Sequence, residues 1–189
     1  MAERAILVVG GAGFVGRYVV DRLVATGERV VVPTRRRAKA RHLFVLPTVS
    51  VVEADVNVAA ELSRLARGAS AIVNLVGILN ETGGQTFQKA HVDLAHNVVA
   101  ACKAAGVRRL VHMSALHADP AGPSRYLKSK GEAEAAVAAS GLDWTIVQPS
   151  VIFGREDAFL NLFARLLRIA PVMALARADA RFQPVYVGD

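Results

Sequence analysis

Three glycines spaced three apart, directly after an apolar run, constrain this chain more than any other feature. Residues 5–9 read Ala-Ile-Leu-Val-Val, and Gly10-Gly11-Ala12-Gly13-Phe14-Val15-Gly16 follows. The run Ala5–Gly10 predicts a buried strand. Val19, Val20, Leu23 and Val24 form an apolar stripe that predicts a helix over Gly13–Thr26, with Gly27 at its C-terminal cap. A strand that turns into a helix this tightly uses one glycine for the turn, one for backbone approach to a pyrophosphate, and one for close helix–strand packing. The N–H groups and dipole at the helix start then favour an anion. The spacing is G-x-x-G-x-x-G, one residue longer between the first two glycines than G-x-G-x-x-G. In its strand–turn–helix context it predicts a dinucleotide loop made of Gly10, Gly11, Gly13, Phe14, Val15 and Gly16.

The rest of the chain repeats the alternation. Strands are expected at Arg29–Thr34, Ser50–Ala54, Ala71–Val76, Arg109–Ser114 and Trp144–Gln148. Helices are expected at Ala59–Arg67, Thr86–Ala105 (closed by Gly106) and Arg125–Ser140 (closed by Gly141). Pro33 has no N–H for a ladder, so regular pairing of the second strand is expected to end near Val32. Continuous apolar strands separated by helices mean a parallel sheet covered on both faces. Right-handed crossovers make it a doubly wound α/β sheet, a Rossmann fold. Residues 1–154 are expected to form this dinucleotide-binding domain, and 155–189 the start of a C-terminal substrate or packing portion. Asp157–Ile169 reads as helical and Arg181–Val187 as extended. Gly188-Asp189 reads as a helix start with no helix after it, so the chain is expected to be a truncated form of a longer protein.

The charge pattern bears on which dinucleotide. An NAD binder often carries an acid about 20 residues past the glycines, at the ribose hydroxyls. This chain has Thr34, Arg35 and Arg36 there, and no acid until Glu53. Arginine suits a bidentate contact to a 2′-phosphate, so NADP(H) is expected over NAD(H). Asp55, just after the third strand, is placed either to accept from the adenine amino group or to close a turn.

Tyr126 and Lys130 stand at i and i+4 at the start of a helix and share a face. A nearby ammonium is expected to lower the phenol pKa, which suits proton exchange with a carbonyl or alcohol during hydride transfer. Ser114, at the end of the fifth strand, is placed to hydrogen-bond the reacting oxygen. Ligands of such sheets gather at the strands' C-terminal ends.

Other classes fit poorly. The net charge is +7, but its densest cluster, Arg35-Arg36-Arg37 with Lys39 and Arg41, has no interleaved aromatic residues and no helix-turn-helix or zinc-finger pattern. Nucleic acid is therefore not expected. Charged residues interrupt every apolar run before it could span a membrane. The start of the chain lacks the features of a secretory signal. One cysteine, Cys102, excludes an internal disulfide, and a reducing, cytoplasmic location is expected. His42, His91, His96, His112 and His117 are scattered, form no metal pattern and read as packing or surface residues. Hydrophobic residues make up 53% of 189, enough for one α/β domain with a substantial core.

The glycine loop, Ser114, and the Tyr126–Lys130 pair, in that order, resemble the short-chain dehydrogenase/reductase superfamily in its extended or atypical, NAD-dependent epimerase/dehydratase-like branch. Asp55-Val56 looks like its adenine contact. Further segments are similar to the nucleotide-binding accessory subunit of respiratory complex I and its bacterial relatives. They are Asn74-Leu75-Val76-Gly77-Ile78-Leu79, Tyr126–Lys130, Ile152-Phe153-Gly154-Arg155-Glu156-Asp157, Phe159-Leu160-Asn161 and Gln183-Pro184-Val185-Tyr186-Val187. The resemblance implies catalytic positions at Ser114, Tyr126 and Lys130, and cofactor contacts that include Val56, Val76 and Gly77; it also sets His91 where many extended members carry a cofactor-side polar residue. It also implies a tightly held NADPH with a structural or redox-sensing role. Association with a respiratory complex, or with the periphery of the inner membrane, follows from the same likeness. Three functions stay open: a non-turnover nucleotide-holding module, an active NAD(P)-dependent oxidoreductase or epimerase on a small carbonyl compound or sugar nucleotide, and a nucleotide-responsive regulator of a partner.

Overall fold

A computed structural model describes residues 4–157, 159–169 and 181–189. The first three residues, and with them part of the N-terminal start considered above, lie outside the described residues. The chain divides into two compact units, residues 1–148 and 149–189.

The first unit is the expected doubly wound α/β fold. Its elements run β1 (Ala5–Val9), α1 (Phe14–Ala25), β2 (Val30–Thr34), β3 (Val49–Glu53), α2 (Ala59–Ala66), β4 (Ala69–Asn74), α3 (Leu94–Ala105), β5 (Arg109–Met113), α4 (Arg125–Ala138) and β6 (Asp143–Val147). Among the described residues they build a six-stranded sheet in the order β3-β2-β1-β4-β5-β6, with every pair parallel. The order reverses between β1 and β4, so the crevice at their C-terminal ends is the switch point where such sheets take ligands.

Each face of the sheet has its own core. Val8, Val30, Val32 and Val73 pack with Val20 of α1 and with Ala40 and Leu43 of a short 3-10 segment, Arg37–Leu43. Leu7, Val9, Ile72 and Leu110 face α2, α3 and α4 through Leu62, Leu94, Val98, Ala133 and Val137. The apolar runs of β1 and β4 supply residues to both faces, as a strand covered on both sides must. Gly27 and Gly106 take positive φ just past α1 and α3, the left-handed conformation that ends a helix.

Two expectations need correction. Pairing of β2 does not stop at Val32, because Pro33 aligns with Val52 and Thr34 with Glu53 of β3. Val30 N–H donates to Thr48 O, and Thr34 O accepts from Ala54 N–H, so the even-numbered residues of β2 bond toward β3. The missing N–H of Pro33 therefore points toward β1, whose pairing with β2 has ended at Leu7↔Val31. The second correction concerns the long helix expected over Thr86–Ala105. Its first part, Gln88–Asp93, is a π-helical turn that leads into α3.

In the second unit, β7 (Ile152–Phe153) pairs in parallel with β8 (Val185–Tyr186), and α5 spans Phe159–Ile169. Asp157 caps α5 by accepting Leu160 N–H at 2.6 Å. The extended stretch expected over 181–187 narrows to β8. Asp189 N–H donates to Tyr186 O at 3.1 Å, so Gly188-Asp189 forms a turn here. Leu162, Leu166 and Leu167 of α5 are exposed. The side chain of Phe159, which opens the same helix, lies outside the described residues.

Candidate functional site

The glycine loop sits at the switch point. Gly10 has φ +87°, and a Cβ there would lie 3.1 Å from Leu75 C and from Val76 N, so the loop after β1 rests directly on the loop after β4. Gly16 is buried in the first turn of α1. A Cβ there would meet Gly10 O and would come within 2.6 Å of Gly11 C, so helix and loop touch backbone to backbone. Gly13 is the N-cap of α1, exposed, with no side-chain cap, and Phe14 and Val15 complete the first turn. The N–H groups of that turn have no intrahelical acceptor, which leaves a concentration of donors at the mouth of the crevice.

Around the rim, Thr34 ends β2, and its Oγ1 accepts Arg36 N–H at 3.3 Å. Arg35 and Arg36 are exposed, and Arg37 lies over the Phe44 ring, 5.4 Å from its centroid. Glu53, distant in sequence from the arginines, stands opposite Thr34 on the neighbouring strand. Asp55 uses Oδ1 to accept Asn57 N–H at 3.0 Å and Asn57 Nδ2–H at 2.7 Å, so half of its carboxylate closes a turn. Val56 packs against the core of α2 and α3.

The second part of the site lies where β4, β5, the π turn and α4 meet. Lys130 is only 3% exposed, and its Nζ donates to Met113 O at 3.1 Å. Ser114 follows at once; its N–H donates to Val147 O at 2.8 Å, and its buried Oγ has no partner among the described residues. Gly77 lies beside this group, because a Cβ there would be 3.3 Å from Lys130 Nζ. Tyr126 packs edge-on against Phe87 and His91, with ring centroids 5.9 and 5.6 Å away. Ser124 caps α4 by accepting Leu127 N–H at 3.1 Å, which holds the turn that carries Tyr126. Ser114, Tyr126, Lys130, Val76 and Gly77 are thus gathered at one end of the sheet.

The titration of this group differs from the expectation for Tyr126. Burial raises the Tyr126 phenol above its ordinary value rather than lowering it. Burial also drives Lys130 down to about 8, against the pull of Glu134. The ammonium is committed to Met113 O, and burial penalises the charged form of both side chains.

Two histidines that read as packing or surface residues belong to this group. His91 is 2% exposed and is held by Ile78 N–H at Nε2 (3.1 Å) and by Ser129 Oγ at Nδ1 (2.8 Å). His112, on β5, meets Asn74 Nδ2 at 3.2 Å through Nδ1. Asn74 Oδ1 accepts Val76 N–H at 3.3 Å, so Asn74 links the loop after β4 to β5. Burial, with Lys130 nearby, lowers His112 to about 4. The available signal was Asn74, a polar residue that ends the apolar run Ala71–Val73 at the crevice. For His91 the signal was Phe87 one helical turn before it.

A family model described as NAD(P)H-binding matches residues 10–158, from the first loop glycine through the end of the sheet. The chain is 35% identical over 188 residues to the mitochondrial NADH dehydrogenase (ubiquinone) 1 alpha subcomplex subunit 9 of Mus musculus, covering 96% of this chain and 50% of that protein. It is 32% identical over 190 residues to the ceramide reductase of Caulobacter vibrioides, covering 100% of this chain and 59% of that one. Among solved structures it resembles a Bacillus halodurans protein assigned to the NAD-dependent epimerases/dehydratases, with TM-score 0.72 and 26% identity over 82% of this chain and 74% of that one. The chain spans about half the length of the curated relatives it matches first. With the glycine loop and five of the six strands, β2 to β6, inside the matched region, the chain belongs to the NAD(P)H-binding family.

Proposed function

We propose that this chain holds NADP(H) across the crevice between the loops after β1 and β4, as an assembly or redox-sensing nucleotide. The observation that carries the choice of NADP(H) is the exposed Arg35-Arg36 pair immediately after β2, in the position where an acid would meet a ribose hydroxyl. The donors at the start of α1 take the pyrophosphate, and Asp55 and Val56 border the adenine. Val76 and Gly77 border the nicotinamide half. The relation to a complex I subunit supports a held nucleotide, and with it a place on a respiratory complex or at a membrane periphery. No described helix is long and apolar enough to cross a membrane.

The test is to identify the nucleotide released from the purified chain by mass spectrometry, and then to titrate both cofactors. A charge-assisted hydrogen bond contributes about 1.5–3 kcal/mol, so Arg35→Ala weakens NADPH roughly tenfold or more and leaves NADH nearly unchanged. Equal losses for the two cofactors would remove the assignment.

A second reading is an active carbonyl reductase. It is favoured by the unpartnered Ser114 hydroxyl beside the Lys130–Met113 contact, and by the ceramide reductase relative. Bound NADPH supplies the hydride in such chemistry. Ser114 donates a hydrogen bond to the substrate oxygen, the Tyr126 hydroxyl gives it a proton, and Lys130 supplies positive charge next to them. Tyr126→Phe then abolishes carbonyl-dependent NADPH oxidation while nucleotide affinity is retained. Turnover at the wild-type rate in that variant would place the chemistry elsewhere.

A further inference from the structure

A chain of hydrogen bonds runs in one direction through His91, from the loop after β4 to the first turn of α4. Ile78 N–H donates to His91 Nε2 at 3.1 Å. A backbone N–H can only donate, so Nε2 carries no proton and the neutral ring carries it on Nδ1. Nδ1–H then donates to Ser129 Oγ at 2.8 Å, and Ser129 gives its own hydroxyl proton to Tyr126 O at 2.8 Å. Phe87 stacks on the ring at 5.6 Å, and Tyr126 meets it edge-on at the same centroid distance. Burial, with Lys130 and His112 adding, lowers His91 to about 3, so the ring stays neutral as this bonding requires.

The two ends of this chain belong to different halves of the site. Ile78 follows Gly77 in the loop on which Gly10 rests. Ser129 lies between Tyr126 and Lys130, and its hydroxyl holds the carbonyl of Tyr126 itself. His91 sits on neither of the elements it joins; it comes from the π turn, 13 residues from Ile78 and 38 from Ser129.

We propose that His91 is a positioning residue that sets the Tyr126–Lys130 turn against the nucleotide loop, with Nε2 governing the loop and Nδ1 governing the turn. The proposal rests on the reading of the crevice as a nucleotide site. Each nitrogen has its own amide mimic. In His91→Gln the amide oxygen reaches the place of Nε2, and in His91→Asn the amide N–H reaches the place of Nδ1.

The experiment compares these two variants, with Ser129→Ala as a third. It uses NADPH titration, the Tyr126 titration read by ring-carbon NMR, and melting temperature. His91→Asn is expected to weaken NADPH about tenfold more than His91→Gln, the worth of about one hydrogen bond that holds the loop. His91→Gln and Ser129→Ala are expected to let the raised Tyr126 pKa fall toward its ordinary value of about 10, and His91→Asn to keep it raised. A merely structural histidine would lower both readouts together, in proportion to the melting temperature. If Gln and Asn behave alike in both readouts, the proposal is overturned. A wild-type chain that binds no NADPH defeats the nucleotide reading instead. The Tyr126 titrations and the nitrogen-15 shift of the His91 tautomer are measured without nucleotide, and they still decide the role of the histidine. A ring protonated on Nε2 would overturn it.

Discussion

Replacing Gly16 by alanine puts a methyl group within 2.6 Å of Gly11 C, against backbone that has nowhere to go. Overpacking of this kind costs about 1–3 kcal/mol, and here it pushes α1 away from the loop it donates into. Gly16→Ala is expected to melt lower than the parent and to lose nucleotide binding. Gly13→Ala, whose nearest neighbour is Gly10 O at 3.2 Å at an exposed N-cap, is expected to keep most of the stability and to weaken the nucleotide, because its methyl group stands where the backbone approaches the pyrophosphate. Matched melting curves and NADPH titrations decide it, and indistinguishable variants would contradict the packing argument. These glycines were legible in the sequence because their constraint is local: a turn and a close approach within seven residues. The bond between His91 and Ser129 was not, because it spans 38 residues and depends on the relative placement of the π turn and α4. Asp55 shows the intermediate case. Both of its sequence readings used the same carboxylate, and only the bonds to Asn57 show that the turn takes one of its oxygens.

At the scale of elements, strand and helix identity came through because buried parallel strands leave uninterrupted apolar runs, and glycines end several of the helices. In the six-stranded unit the boundaries moved by a residue or two, as they do wherever the last turn or last pair has no distinctive side chain. Pro33 is the instructive error. A missing N–H was read as the end of a strand, yet the cost depends on which neighbour that N–H would face. In a parallel strand alternate residues bond to opposite neighbours, and that parity is set by the pairing partner rather than by the strand's own sequence. The π turn was hidden for a similar reason. Phe87, Ala90 and His91 keep a helical apolar face, and the extra residue per turn shows only in the backbone. The phenol of Tyr126 followed the same logic: i, i+4 spacing predicted a neighbouring ammonium, while the packing of α4 against Phe87 and against His91 of the π turn made burial dominate.

For the molecule as a whole, the two buried histidines make acid the condition to watch. His91 and His112 are held down to about 3 and about 4 in the fold, against 6.5 when unfolded. Between those values the unfolded chain binds protons that the folded one does not, so stability falls as pH drops below about 6.5 and keeps falling until the folded values are reached. Each tenfold difference in proton affinity between the folded and unfolded ring is worth about 1.4 kcal/mol, so a loss of a few kcal/mol is expected between about pH 7 and about pH 4.5. Urea midpoints at the two pH values measure it, and an unchanged midpoint would show that the rings are not buried neutral. The strand order carries a different consequence, for the time at which the crevice comes into being. Its two walls, the loops after β1 and β4, are adjacent in space, but β1 pairs with β4 only across the whole of α1, β2, β3 and α2, with Ala5 finding Ala69. Closing so long a loop is paid for before the contact rewards it, so this pairing belongs among the slow events of folding. A nascent chain shows its glycine signature well before β4, yet it has nothing to hold a nucleotide against until β4 has been made.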